Sequence, residues 1–227
     1  MRVATRLPSQ VIARCCRTNL ASQICADVGF TLETGIQMTL GARAQEHMNE
    51  IEVEDLKAWL PNFPDEILGD WLMPYAKSEG WPPADHIDSA PAGRWRYLLG
   101  LRTIAELREI SWQEEHRHIS IHELRPDYRD ISVEMTLAAV AKQTNLYSVS
   151  IPDLSDRFNS ILAHLRRHGS LPAPPVLLSG HDGLQVLDGN HRLAAYFYAY
   201  GYFKLPLDEE ALSSTTSAQR LWVGTSA

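Results

Sequence analysis

Apolar residues recur at helical spacing through the first half of this chain and give way, in the second half, to short apolar runs separated by turn residues. In Glu50–Leu60, Leu56, Trp59 and Leu60 fall on one helical face, and Pro61 and Pro64 stop the pattern. Asp65 is placed to cap a second helix, Glu66 to Lys77, with Ile67, Leu68, Trp71 and Leu72 inward. Residues 1–45 read as one or two weaker helices interrupted by Gly35 and Gly41. Residues 82–93, rich in Pro, Ala, Asp and Gly, read as a linker or long surface loop. Helical spacing resumes over Arg94–Ile110 with Tyr97, Leu98, Leu101, Ile104 and Leu107. His118–His122 alternates polar and apolar as a strand does, Arg125-Pro126-Asp127 is turn chemistry, and Ser132–Lys142 is helical by pattern.

From Tyr147 onward the signals sharpen. Tyr147–Ile151 is strand-like. Ser155 is a good N-cap for a helix carrying Phe158, Ile161, Leu162 and Leu165, and Gly169 suits its C-terminal end. Val176-Leu177-Leu178 and Leu184–Leu187, joined through His181-Asp182-Gly183, form a hairpin. Gly189 then opens a tight turn, Leu193–Tyr200 is an apolar helix closed by Gly201, and Phe203–Leu207 is a last strand before a Ser/Thr-rich tail from Glu209 that is expected to fray. The pattern predicts an α/β fold with a small mixed sheet in residues 94–227 (core 147–207), preceded by a mostly helical region over residues 1–93.

Composition narrows the partners. No stretch approaches the roughly 18 apolar residues of a membrane span. The net charge of −7 argues against wrapping DNA or lying on an anionic membrane, both of which call for a basic surface. Three cysteines, Cys15, Cys16 and Cys25, are neither a disulfide framework nor a zinc site by spacing, so a reducing, cytoplasmic setting is expected. Arg2, Arg6, Arg14 and Arg17 in an acid-free start also fit a targeting segment or a basic amphipathic helix.

The chemistry concentrates at Asp188-Gly189-Asn190-His191-Arg192, between the end of a strand and the start of a helix. The first amides of a helix lack partners within it, and its dipole places partial positive charge there, so a phosphate fits. Gly189 lets the ligand approach the backbone, Arg192 adds a charge-assisted contact and His191 can donate to an oxygen or pass a proton. Asp188 would repel a bare phosphate; its natural roles are to hold Arg192, to bind a metal with the phosphate, or to accept a proton from an attacking hydroxyl. Asp-Gly-Asn is equally an ordinary turn sequence.

The stretch from Val149-Ser150-Ile151-Pro152 through Ser155–Gly169, Leu171–Leu178 and Val186–Ala195 to Leu205-Pro206-Leu207 resembles the ParB/sulfiredoxin superfamily. Leu187–Ala195 carries most of that resemblance, matching the family's D-G-x-x-R-x-x-A turn. The resemblance implies nucleotide binding, with ATP, ADP or CTP held together with Mg²⁺ so that Gly189, Asn190, His191 and Arg192 line the phosphates. Asp188 would be catalytic base or metal ligand, with His191 and Arg192 in the catalytic set. Asn190 stands where sulfiredoxin has its cysteine, and the double Arg of the partition proteins is missing, so the kinase-like versions are nearest in pattern. The second acidic residue those kinases use has two candidates here, Glu123 and Asp127.

The expected activity is that of a nucleotide-dependent phosphotransferase or nucleotide hydrolase acting on a small-molecule or protein acceptor. A non-catalytic nucleotide-binding switch is the alternative, and a DNA-binding or nuclease role ranks behind both because of the acidic balance. Other constellations read more simply. His116, His118 and His122 could share a strand face and hold a metal, and His164 and His168 are a possible chelating pair, but a solvated face and a helix end account for them. Trp59, Trp71, Trp81, Trp95 and Trp112 read as core anchors, and so do Tyr196 and Tyr200, although one of these two could stack on a base. Phosphate-loop, serine-hydrolase and zincin motifs are missing from the sequence.

Overall fold

A computed structural model describes residues 51–146, 149–201 and 218–226 of the chain. The weak helices expected over residues 1–45, the three cysteines and the strand expected at Phe203–Leu207 lie outside the described residues. The N-terminal elements are α1 (Val53–Trp59), α2 (Asp65–Ile67), a π-helical turn (Leu68–Leu72), α3 (Met73–Glu79), α4 (Gly93–Leu98) and α5 (Ile104–Arg108). They are followed by β1 (Ile110–Arg117), a 3₁₀ turn (Ile121–Glu123), α6 (Pro126–Val140), β2 (Asn145–Leu146), β3 (Val149–Ser150), α7 (Leu154–His168), β4 (Val176–Gly180), β5 (Gly183–Asp188), α8 (Asn190–Ala199) and β6 (Gln219–Ser226).

Four strands form one mixed sheet in the order β1-β6-β4-β5, so the chain is an α/β protein. β6 runs antiparallel to β1 and parallel to β4, and β4 and β5 are an antiparallel hairpin. Side chains alternate across a strand, and here each strand serves both faces. Leu177, Leu184, Val186, Leu221 and Val223 face one core with Met135 of α6, Phe158, Leu162 and Leu165 of α7, and Leu193 and Phe197 of α8. Val176, Leu178, Leu187 and Ile110 face a second core with Leu56, Leu68, Trp71, Leu72, Trp95, Leu99 and Leu107 from the N-terminal helices. Residues 51–110 are therefore a helical layer laid on the sheet itself.

Four local expectations change. The tail from Glu209 is not all frayed: Gln219–Ser226 is an interior strand, with Gln219 and Leu221 fully buried. Its alternation of Gln219, Leu221 and Val223 against Arg220, Trp222 and Gly224 fits a strand buried on both faces. The Gln219 side chain accepts from Leu171 N at 2.7 Å and donates to Gly169 O at 3.0 Å, which ties the loop after α7 to the sheet.

The helix expected over Arg94–Ile110 is broken at Gly100 and Leu101, both at positive φ (64° and 65°), and the strand after it begins earlier, at Ile110. His118–His122 is accordingly not a strand: Ser120 caps the 3₁₀ turn, accepting from His122 N at 3.3 Å. Ser155 is not the cap of α7. Asp153 holds that position, and Ser155 Oγ donates to Ala139 O at 2.7 Å, joining α7 to α6.

Candidate functional site

The Asp188–Arg192 turn sits at the end of β5, where the chain leaves the sheet to enter α8. Gly189 is the N-cap, at φ +99°, a conformation that L side chains rarely adopt. A Cβ there would meet Pro175 Cβ at 3.0 Å and the Arg192 Nε and NH2 atoms at 3.1 Å each. No side chain caps the helix, and its first intrahelical bond is Leu193 N to Gly189 O at 2.9 Å. The amides of residues 189–192 thus stand at the positive end of a ten-residue helix, without partners inside it.

The side chains of the turn divide. Arg192 donates through NH2 to Asp188 Oδ2 in a tight, partly buried ion pair. Its Nε is buried and has no hydrogen-bond partner among the described residues. Both residues line a small cavity of about 10 Å³, room for one water-sized group. Gly189, Asn190 and His191 do not line the cavity. His191 is partly buried and feels Arg157 and Asp153 at the start of α7 as well as Asp188 and Arg192. Burial first, and then the Arg157 charge, push its imidazole below the ordinary histidine range. A neutral imidazole at this place can donate or accept a hydrogen bond but brings no charge to a phosphate.

The opposite wall comes from a region in which the sequence showed no site. Glu66, Ile67, Asp70 and Trp71 line the cavity from α2 and the π-turn, and Trp222 of β6 completes it beside Pro174 and Val176. Pro74, inside what would otherwise be one continuous helix, lacks an N–H and crowds the carbonyl four residues before it; the helix widens into the π-turn just there. That local proline was the available signal.

Arg220 secures Glu66, with NH1 donating to Oε1 at 2.7 Å and NH2 to Oε2, and also reaches Glu114 Oε1 of β1 through Nε at 2.8 Å. The two carboxylates hold the Arg220 guanidinium well above its ordinary range, and the Arg220 contact holds the Glu114 carboxyl below its own. Asp70 is exposed and makes no ion pair among the described residues.

Glu123 and Asp127, the candidates for a second acidic residue, are placed elsewhere. Glu123 accepts from Ser120 N and from Arg117 NH1, each at 2.7 Å. Asp127 accepts from Arg125 Nε at 3.1 Å and NH2 at 2.5 Å, and neither carboxylate lines the cavity. Among the described residues no group of three or more His, Cys, Asp or Glu side chains is arranged to hold a metal by itself. His116 lies in β1, His118 beyond it and His122 in the 3₁₀ turn, so the three do not share one strand face. His164 and His168 pack at a tilt with ring centroids 4.4 Å apart on the last turns of α7. Trp71 and Trp95 are core residues, as their spacing foretold, and no described helix is long and apolar enough to cross a membrane.

No protein-family model matches the chain, and neither does any curated protein or solved structure.

Proposed function

We propose that this is a nucleotide-binding protein of the ParB/sulfiredoxin-like kind, which holds nucleotide phosphates on the Asp188–Arg192 turn and acts as a nucleotide-dependent phosphotransferase or nucleotide hydrolase. One observation carries the reading. A glycine at positive φ opens an uncapped ten-residue helix directly beside an arginine whose buried Nε has no partner. Free amides, helix dipole and guanidinium then converge on one spot, as phosphate recognition requires. The sequence resemblance at Leu187–Ala195 supports the same assignment, and ATP, ADP or CTP is the expected ligand.

Magnesium suits the donor set. The ion normally keeps several waters and takes one or two carboxylates plus phosphate oxygens, so a dense acidic cage is not required. Asp188 and the unpaired Asp70 both line the cavity and would hold it. Once bound, it would neutralise charge on the phosphates. Arg192 and the amides of Gly189, Asn190, His191 and Arg192 would orient the terminal phosphate and stabilise its charge.

One feature favours the non-catalytic alternative, a nucleotide-binding switch. Asp188 is engaged by Arg192, so its carboxylate is not a free base. The net charge of −7 continues to argue against a DNA-binding or nuclease role.

Thermal shift with ATP, ADP, CTP and GTP, each with magnesium, tests the reading on wild type and Arg192→Ala. A ligand at about 100 times its Kd adds roughly 2.7 kcal/mol, or about 5–10 °C for a chain of this size. A shift with one nucleotide that disappears in Arg192→Ala is the expected result. No shift with any of the four overturns the assignment, and a shift without phosphate release selects the switch.

A further inference from the structure

A buried glutamine interrupts the apolar run of β5. Gln185, 5% exposed between Leu184 and Val186, accepts from Arg102 NH1 at 2.9 Å through Oε1 and donates through Nε2 to the Tyr128 hydroxyl at 3.1 Å. Its amide thus joins the loop after α4 to the first turns of α6 at the end strand of the sheet. The loop backbone comes in close above this contact: a Cβ on Gly100, at φ +64°, would fall 2.7 Å from Gln185 Nε2 and 2.8 Å from Arg102 NH1. On the other side Arg125 Cζ lies 5.3 Å from the centroid of the Tyr128 ring. Two guanidinium groups therefore stand about one phenol.

The free groups of this cluster are all donors. The Tyr128 oxygen already accepts from Gln185, which leaves its hydrogen to donate. Arg102 NH1 is held by two neutral oxygens, Gly100 O and Gln185 Oε1, each at 2.9 Å, and Arg102 makes no ion pair among the described residues. Burial pulls its pKa below the ordinary arginine range, against the opposing pull of Glu106. Its Nε and NH2 have no protein partner among the described residues and stay open to solvent, as does Arg125 NH1. Donors without an acceptor call for an anion. The nearby acids fix its charge: Asp127 already occupies Arg125, Glu106 caps α5 through Thr103, and Asp182 pairs with His181. Among these a doubly charged phosphate is repelled, whereas a singly charged carboxylate matches the one guanidinium left unpaired.

We infer that Arg102, Arg125 and Tyr128 form a binding site for a singly charged carboxylate, separate from the Asp188–Arg192 turn, with Gln185 positioning Arg102 and Tyr128 from beneath. Arg102 takes the carboxylate through Nε and NH2, the fork that Arg125 already uses on Asp127. Leu101, directly before Arg102, is 51% exposed at φ +65°, so the site has an apolar neighbour and suits an acid with an apolar body. None of these residues lines the cavity beside the turn, and the inference stands without the nucleotide reading.

The test uses the full chain labelled with ¹⁵N. Arg102→Gln removes the Arg102 Nε–H signal and Gln185→Glu the Gln185 side-chain amide signals, which assigns both. Sodium hexanoate, and separately inorganic phosphate, is titrated at constant ionic strength against wild type, the two variants and Arg192→Ala. The expected result is a saturable movement of the Arg102 and Gln185 signals with hexanoate, at lower concentration than with phosphate. Arg102→Gln should weaken hexanoate about tenfold or more, as for a lost hydrogen bond to a charged group. Gln185→Glu should weaken it as much, because its isosteric carboxylate takes Arg102 from inside. If Arg102→Gln does not fold, Gln185→Glu decides the matter, since the new carboxylate accepts from both Arg102 and Tyr128. Arg192→Ala should bind hexanoate as wild type does. Signals that do not saturate, or hexanoate binding unimpaired in Arg102→Gln and Gln185→Glu, overturn the site. Phosphate binding more tightly than hexanoate at the same signals overturns its assignment to a carboxylate, and binding that is lost in Arg192→Ala overturns its separation from the turn.

Discussion

Gly189→Ala isolates the turn from everything around it. At φ +99° an L residue pays roughly 1–2 kcal/mol for the left-handed region. The new methyl would also press on Pro175 Cβ at 3.0 Å and on two guanidinium atoms of Arg192 at 3.1 Å. Moving Arg192 strains its partly buried pair with Asp188, for about 1 kcal/mol more. Against this, alanine restricts the unfolded chain and returns about 0.4–1 kcal/mol. The net cost is about 2 kcal/mol, or a fall in Tm of roughly 4–8 °C for a chain of this size. Urea and thermal melts of the purified full chain measure it. Gly180→Ala is the control, because its Cβ would meet only Gly183 O at 3.4 Å, on an exposed strand end without positive φ. It should stay within about 0.5 kcal/mol of wild type. Equal stability of the two variants would refute the geometry of the turn, and with it the claim that only glycine admits a phosphate there.

Three further outcomes check other parts of the structure. Gly224→Ala, whose Cβ would lie 2.7 Å from Ile110 Cγ2 and 2.9 Å from Trp112 Cζ3, should cost about 1–3 kcal/mol in urea melts through overpacking; a neutral result would deny that Gln219–Ser226 is an interior strand. Asn62 Nδ2 donates to Leu107 O at 2.8 Å and to Ile110 O at 2.6 Å, so Asn62→Ala should cost about 1–2 kcal/mol, with faster amide exchange at the start of β1 as the local sign. His191, held below the ordinary histidine range mainly by burial, contributes a stability that is whole above the unfolded value of about 6.5 and falls as pH drops below it, because the unfolded chain takes up the proton first; His191→Gln should flatten the stability profile on that acidic side, and an unchanged slope would place the titration elsewhere.

The C-terminal half was legible because its signals are local. Gly169 ends α7 in the left-handed conformation, the β4–β5 hairpin turns through His181-Asp182, and Gly189 opens α8, each as the turn chemistry requires. Two features depended on distant partners and were not read. Leu221-Trp222-Val223 is a short apolar run in a Ser/Thr-rich stretch, and only pairing with β1 and β4 makes it the inside of a sheet. β1 presents Glu114, Glu115 and Arg117 because it is an edge strand, where charge is tolerated, so its composition hid its structure. Glu123 and Asp127 were the sequence's candidates for a second acidic residue, whereas Glu66 and Asp70 are the acidic residues that reach the cavity, from the helical layer.

The cavity is lined from both regions of the described chain. Asp188 and Arg192 leave the sheet at the end of β5, Trp222 comes from β6, and Glu66 and Trp71 come from the helical layer that packs on the same face. Arg220 ties these pieces together, since one guanidinium holds Glu66 of α2 and Glu114 of β1 from a strand two residues before Trp222. Its groups are partly exposed, so the network adds little to global stability. Its consequence is positional: Glu66 is occupied by Arg220, and Arg192 pairs with Asp188. Arg220→Met should therefore lower phosphate affinity more than it lowers Tm, through release of Glu66 to compete for Arg192. A loss of Tm with affinity intact, measured on the same preparation, would instead assign Arg220 to holding the layers together.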